Sequence, residues 1–413
     1  MMRFPQNFLW GASSSSHQVE GGNIHNDWWR WEQATARREK SGDACRHYWM
    51  FKEDFDLARS LGHNAHRFSI EWSRVEPEEG MTVDAEVGHY REVIRALKER
   101  GIEPVVTLHH FTNPLWLAKK GGWLDPGAIR SFLRYVRIIA EAFAEEVKYW
   151  VTINEPLVYA HQSYVLGNWP PQERSLRKGM KVADILRAAH IEAYRSIHAV
   201  YRKKNLPLPM VTFAKNLRAF VPCNSTFRNK LSVYLKNALF NFDFLEKVLR
   251  HKAVDFIGMN YYTRDLVEVD SWSPRRLVVD VCEKKHSTAP KNTLGWDTYP
   301  EGLLSLLLRL KKYNLPVCIL ENGICTPDDN RRWDYISEHL KSVHAAIQQG
   351  VRVAGYLYWS LTDNFEWDKG FAPRFGLIDV DYETYKRTVR ESARKFAAVC
   401  KANVLEEMQQ KTG

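Results

Sequence analysis

The strongest constraint on the fold is a repeat of kind rather than of letters. Short apolar runs rich in β-branched and aromatic residues alternate with longer amphipathic segments, eight times over. The runs are NFLWGAS from Asn7, NAHRFSI from Asn64, EPVVTLHHF from Glu103, KYWVTIN from Lys148, PMVTFAK from Pro209, VDFIGMNYY from Val254, PVCILENG from Pro316 and VAGYLYWSL from Val353. Runs this continuously apolar read as strands buried on both faces, the state of a parallel sheet covered by helices. The intervening segments carry the helical period. One sets Val87, Tyr90, Val93, Ile94 and Leu97 on one face and stops at Gly101; another sets Ile129, Leu133, Val136 and Ala140 together. Further helical stretches, ADILRAAHIEAYRSIHAVYRKK and GLLSLLLRLKKYNLP, precede the fifth and seventh runs. Strand and helix in eightfold alternation predict an α/β fold, a single (β/α)8 TIM barrel over residues 1–413. An open doubly wound sheet is the alternative, but it brings a GxGxxG loop after its first strand and none is present.

Charge and cysteine usage narrow the class. Lys and Arg number 59 against 49 Asp and Glu, a net charge of +10, but the basic residues are interspersed with acids and aromatics. That predicts a solvated surface and no nucleic-acid partner. Fifteen tryptophans suit a large core, or a cleft paved with indole faces. The six cysteines, Cys45, Cys223, Cys282, Cys318, Cys325 and Cys400, form no CxxC pair, so free thiols in a reducing compartment are expected. No secretory leader and no bilayer-length apolar run is read in the sequence, so the expectation is a soluble, cytoplasmic protein without a membrane partner. HExxH, calcium-loop, GxSxG and P-loop patterns are all missing, so no metal and no cofactor is expected.

Reactive groups of a β/α barrel sit where strands end at their carboxyl side. The fourth run ends Asn154-Glu155-Pro156 and the seventh ends Glu321-Asn322-Gly323. Each delivers one glutamate to the same mouth, although 166 positions separate them in the chain. Proline cannot extend the ladder, and glycine allows a sharp exit, so both carboxyls are expected on a rigid edge. Either glutamate alone could close an ion pair of the barrel. Two, each beside asparagine, suit cleavage of a glycosidic bond, in which one carboxyl gives a proton and the other, ionised, attacks the anomeric carbon. Arg67, late in the second run, is placed to keep one of them charged. Other run ends supply Gln18, His109 or His110, Asn260, Tyr262, Trp359, Glu366 and Trp367, a polar and aromatic set suited to a pyranose. The residues alone do not decide which glutamate attacks.

Several stretches, in order, make the chain similar to glycoside hydrolase family one, the retaining β-glucosidases and β-galactosidases. They are FPQNFLWGAS with HQVEGG, HRFSIEWSRVEPEEG, VTLHHFTNPLWL, TINEP, DFIGMNYYT, GWDTYPEGL, ILENG and GYLYWSLTDNFEWDKGFAPRFGLIDVDYET. The resemblance implies a retaining exo-β-glycosidase acting on terminal β-D-glucosyl residues, with β-D-galactosyl and β-D-fucosyl as companions. It assigns Glu155 as acid/base and Glu321 as nucleophile, and Arg67 and Tyr262 as contacts of Glu321. Asn154 takes the 2-hydroxyl, Gln18, His110, Trp359, Glu366 and Trp367 line the glycone pocket, and Asn260 supports them. It further implies small β-glycosides or oligosaccharides as partners and an unphosphorylated glycone, because Glu366 repels a phosphate dianion. Oligomeric state stays open. Departures from the family pattern are Phe111 where many members carry tryptophan, His17 with its preceding serines, and a shortened segment between Phe213 and Asp255. The last gives the expectation of a more open aglycone side. A sugar-binding protein without catalysis and a transglycosylase are the competing readings.

Overall fold

The computed structural model describes residues 1–406 apart from 35, 37, 274–276 and 278–286; Cys282 therefore lies outside the described residues. Eight strands form the barrel: β1 (Leu9–Ser13), β2 (Ala65–Ser69), β3 (Glu103–His109), β4 (Tyr149–Asn154), β5 (Met210–Asn216), β6 (Ile257–Asn260), β7 (Val317–Asn322) and β8 (Val353–Trp359). They pair in sequence order, all parallel, and β8 returns to β1 to close the cylinder. A helix follows each strand before the next: α1 (His47–Ser60), α2 (Asp84–Glu99), α3 (Ala128–Phe143), α4 (Leu176–Lys203), α5 (Asp243–Arg250), α6 (Pro300–Leu310), α7 (Asp329–Gln348) and α8 (Glu391–Ala402).

Alternation along the strands divides the apolar residues into two cores. Ala65, Val105, Val151, Ala214, Leu320 and Leu357 fill the cylinder, while a larger core lies between the strands and the helices. Where neighbouring strands approach most closely, only glycine fits. A β-carbon at Gly11 would meet the Ala65 carbonyl oxygen at 1.8 Å. Met2–Arg3 pairs antiparallel with Val404–Leu405.

On α3 the expected face packs on the core, with Val136 and Ala140 buried and Ile129 and Leu133 half-buried against it; Phe132, Tyr135, Ile139 and Phe143 widen the stripe. One expectation is corrected here. Gly323 is not in the left-handed region; it is needed because a β-carbon there would meet the Trp359 carbonyl oxygen at 1.8 Å.

The short segment after β5 is built rather than bare. Ala219–Pro222 pairs in parallel with Arg264–Val267, and a helix, Phe227–Lys236, continues through Asn237–Phe242 into α5. Cys45, Cys223, Cys318, Cys325 and Cys400 carry free thiols. Among the described residues no helix is long and apolar enough to cross a membrane.

Candidate active site

A cavity of about 280 Å³ opens at the carboxyl ends of the strands. Its walls include Gln18, His110, Asn154, Glu155, Tyr262, Glu321, Trp359, Glu366 and Trp367. Thus every residue singled out for the pocket reaches one space, although they come from six different strand ends.

Glu155 shows why a carboxylate is followed by proline. Its amide still donates to the Ala214 carbonyl at 2.8 Å, so the ladder between β4 and β5 runs through it. Its backbone then turns to φ 42°, ψ 58°, and Pro156 opens a short helix, Pro156–Ala160, with φ preset for the first helical position. A left-handed non-glycine residue costs roughly 1–3 kcal/mol, and Phe111 and Trp367 in the same walls also have positive φ. That expenditure aims side chains into the cavity at the end of a fixed strand. The Glu155 Oε1 accepts from Asn216 Nδ2 and Asn260 Nδ2, both at 2.9 Å.

Glu321 is differently partnered. Arg67 Nη1 donates to its Oε1 in a buried ion pair, and the Tyr262 hydroxyl donates to its Oε2 at 2.6 Å. Arg67 is itself fully buried and fixed, giving Nε to Thr107 Oγ1 at 2.9 Å and Nη2 to Asn154 Oδ1 at 2.7 Å. Burial pushes the Glu321 carboxyl up to about 7; the charge of Glu155 adds to this, and Arg67 and Tyr262 oppose it.

The remaining groups form the inner wall. Asn154 Oδ1 also receives Asn260 Nδ2 at 3.2 Å, which fixes the amide and turns Asn154 Nδ2 onto His110 Nε2 at 3.0 Å. His110 is then the tautomer with its proton on Nδ1, and burial together with Arg67 holds its pKa well below the usual imidazole range. Its ring stacks near-parallel with those of Trp359 and Trp367, 6.0 Å from each. His109 points the other way, to Asn113 and Trp123. Gln18 Nε2 donates to Asn364 Oδ1 and the Phe365 carbonyl, and reaches Glu366 Oε2 at 3.3 Å. Burial, and next the charge of Glu321, push the Glu366 carboxyl up to about 8. Glu321 and Glu366 thus share one cavity in which the charge of Glu321 disfavours that of Glu366.

Some lining groups were not anticipated. Asn216 is the last residue of β5, one past the lysine taken as the end of that run. Trp169 enters from the loop before α4, packs on Phe111 at 5.0 Å and gives Nε1 to Asp368 Oδ1 at 2.9 Å, tying that loop to the one after β8. Arg218 and Asp265 form a wall pair at 2.8 Å. Asn216 was within reach of the strand-end rule; the other three needed the fold. No metal-binding group of His, Cys, Asp or Glu occurs among the described residues.

The comparisons follow this geometry. The profile of glycosyl hydrolase family 1 matches residues 1–250 and 227–405. β-Glucosidase A of Thermotoga maritima is 33% identical over 452 residues, covering 98% of this chain and 99% of that protein. That alignment is 39 positions longer than the 413 residues of this chain, so the chain lacks at least that many positions of its relative. β-Galactosidase of Pyrococcus woesei is 29% identical, covering 94% and 95%. Among solved structures, the β-glycosidase from Pyrococcus horikoshii superposes with a TM-score of 0.90 at 39% identity, covering 98% of this chain and 96% of that one. The β-glucosidase from T. maritima in complex with glucoimidazole superposes at 0.88 with 31% identity, covering 98% and 100%.

Proposed function

The chain belongs to glycosyl hydrolase family 1 and is an O-glycosyl hydrolase of the β-glycosidase type, and from this premise we propose that it is a retaining exo-enzyme with Glu321 as nucleophile and Glu155 as acid/base. The observation that carries the assignment is the difference in partners. Glu321 faces a buried guanidinium and a phenol, a setting for a carboxylate that must be anionic when it attacks. Glu155 accepts from two neutral amides, which hold its position where a proton donor to the glycosidic oxygen is needed.

In the first half-reaction the ionised Glu321 attacks the anomeric carbon, and Glu155 gives its proton to the glycosidic oxygen as that bond breaks. The aglycone leaves as an alcohol and the sugar stays as an ester on Glu321. In the second, Glu155 takes a proton from water, the hydroxyl attacks the anomeric carbon, and Glu321 leaves as a carboxylate. Two inversions give net retention, which asks for carboxyls roughly 5–5.5 Å apart. Asn154, oriented by Arg67 and Asn260, is held for the 2-hydroxyl, where a hydrogen bond strengthens as charge develops. Gln18, His110, Glu366 and the two tryptophans hold the rest of the ring. Glu366, its carboxyl pushed up to about 8 by burial and by the charge of Glu321, offers a hydrogen bond to sugar hydroxyls. The glycone is an unphosphorylated β-D-glucosyl unit, with galactosyl and fucosyl units accepted as well.

A panel of nitrophenyl β-glycosides tests this reading. Glucoside, galactoside and fucoside should turn over, with the β-anomer as the first product in proton NMR. Initial release of the α-anomer, or no turnover on any member, would sink it. The Glu321–Arg67 pair adds a pH prediction. Attack needs ionised Glu321, so kcat/KM should fall as pH drops below about 7. Arg67→Met removes the charge that favours the anion, so this limb should move to higher pH. Leaving a buried carboxylate without its partner costs roughly 3–5 kcal/mol, enough to shift the limb rather than only broaden it. An unmoved acid limb in this variant would separate Arg67 from Glu321.

A further inference from the structure

Lys215, the last residue but one of β5, is 1% exposed and forms no ion pair among the described residues. An ammonium taken out of water without an anion beside it costs stability, so its burial asks for a reason. The side chain lies on the outer face of the barrel, since Ala214 and Asn216 on either side of it point inward. Its Nζ donates to the Asn216 carbonyl and lies over the Phe240 ring, 4.2 Å from the centroid. Burial pushes the amine down to about 7; the charge of Glu155 opposes this, and that of Arg218, itself paired with Asp265, adds to it.

The reason lies in the turn at Glu155. The Ala214 carbonyl takes the Glu155 amide at 2.8 Å, a rung between β4 and β5. Beyond it β4 ends: Pro156 has no N–H, and Leu157 already belongs to the helix Pro156–Ala160. The Asn216 carbonyl, two places after Ala214, therefore meets no strand amide on that side. A buried carbonyl needs a partner, and the Lys215 ammonium supplies it. Asn216 in turn gives Nδ2 to Glu155 Oε1 at 2.9 Å, the same oxygen that takes Asn260. Lys215 thus stands between the two β5 residues that bond Glu155, one through its carbonyl and one through its side chain. We infer that Lys215 is a positioning residue for proton transfer: by holding the Asn216 carbonyl it keeps the Asn216 amide on the Glu155 carboxyl, and the Phe240 ring holds the lysine. The inference rests on the acid/base role proposed for Glu155. Phe240 and Arg218 both come from the shortened segment between Phe213 and Asp255, which therefore reaches the site from behind as well as lining it.

The test compares leaving groups. Lys215→Met keeps the reach of the side chain and removes the donor. Its kcat/KM should fall about tenfold on methyl β-glucoside, where the leaving oxygen needs a proton, and by less than about twofold on dinitrophenyl β-glucoside. A residue that only supports the fold would lower both alike. Asn216→Ala should show the same bias, and adding Lys215→Met to it should cost less than about a further twofold, because both act through one bond. Phe240→Leu, at a half-buried ring, should lean the same way with a smaller loss. Circular dichroism melts report folding; if Lys215→Met does not fold, Phe240→Leu carries the test in its place. Glu155→Ala runs alongside. If it shows no bias between the two substrates, the acid/base assignment fails and the inference falls with it. If it shows the bias while Lys215→Met, or Phe240→Leu in its place, loses nothing or loses equally on both substrates, the inference alone is overturned. Losses at Lys215 and Asn216 that multiply in full overturn it as well.

Discussion

Replacing Glu321 by alanine is expected to lower kcat on a nitrophenyl β-glucoside by on the order of 10⁴-fold or more, because no other group can form the ester that divides the reaction. The barrel should survive. Arg67 keeps its bonds to Thr107 and Asn154, and the space left is small and polar. Added azide enters the vacated side and attacks the anomeric carbon once. The product is then an α-glycosyl azide, and turnover partly returns. A variant near wild-type activity, or an azide product of β-configuration, would remove Glu321 from the nucleophile role.

Glu155→Ala has a different signature. Loss of a general acid costs roughly 10²–10⁴-fold where the leaving group needs a proton. The expected loss is therefore large for alkyl glycosides and small for the first step of a dinitrophenyl glucoside, whose phenolate leaves unaided. The second step also slows, because no base activates water. The ester accumulates, KM drops with kcat, and azide, which needs no base, returns turnover as a β-glycosyl azide. Equal losses across leaving groups would mean that Glu155 is not the proton donor. The opposite azide anomers of the two variants separate the roles without reference to any pKa.

The barrel was legible because parallel strands covered on both faces must be apolar throughout, so eight such runs stand out from amphipathic helices. The helix faces were legible in part: on α3 the aliphatic positions read from the sequence do pack on the core, and the ring-bearing positions Phe132, Tyr135 and Phe143 widen the stripe. Strand ends pointed to both glutamates, since Pro156 and Gly323 end runs that are otherwise buried, although the reason for Gly323 is the approach of Trp359 rather than a turn. What sequence reasoning could not supply was the difference between the two carboxyls. That difference comes from Arg67 on β2 and Tyr262 after β6 at one, and Asn216 on β5 and Asn260 on β6 at the other. These are pairings between distant segments, fixed only when the cylinder closes. Trp169 left no local signal either. It lies in a loop without periodicity, and its role in the wall follows from its bond to Asp368, 199 positions away.

The account stands on one bond: during turnover the anomeric carbon is joined to Glu321. A glucoside bearing fluorine in place of the hydroxyl beside that carbon slows both half-reactions, and a dinitrophenolate leaving group restores the first, so the ester builds up. Intact-mass spectrometry followed by peptide mapping then reads the attachment directly. The predicted result is one fluorosugar per chain, on the peptide containing Glu321 and on that residue. Label on Glu155, or no adduct together with inverted product, would contradict it.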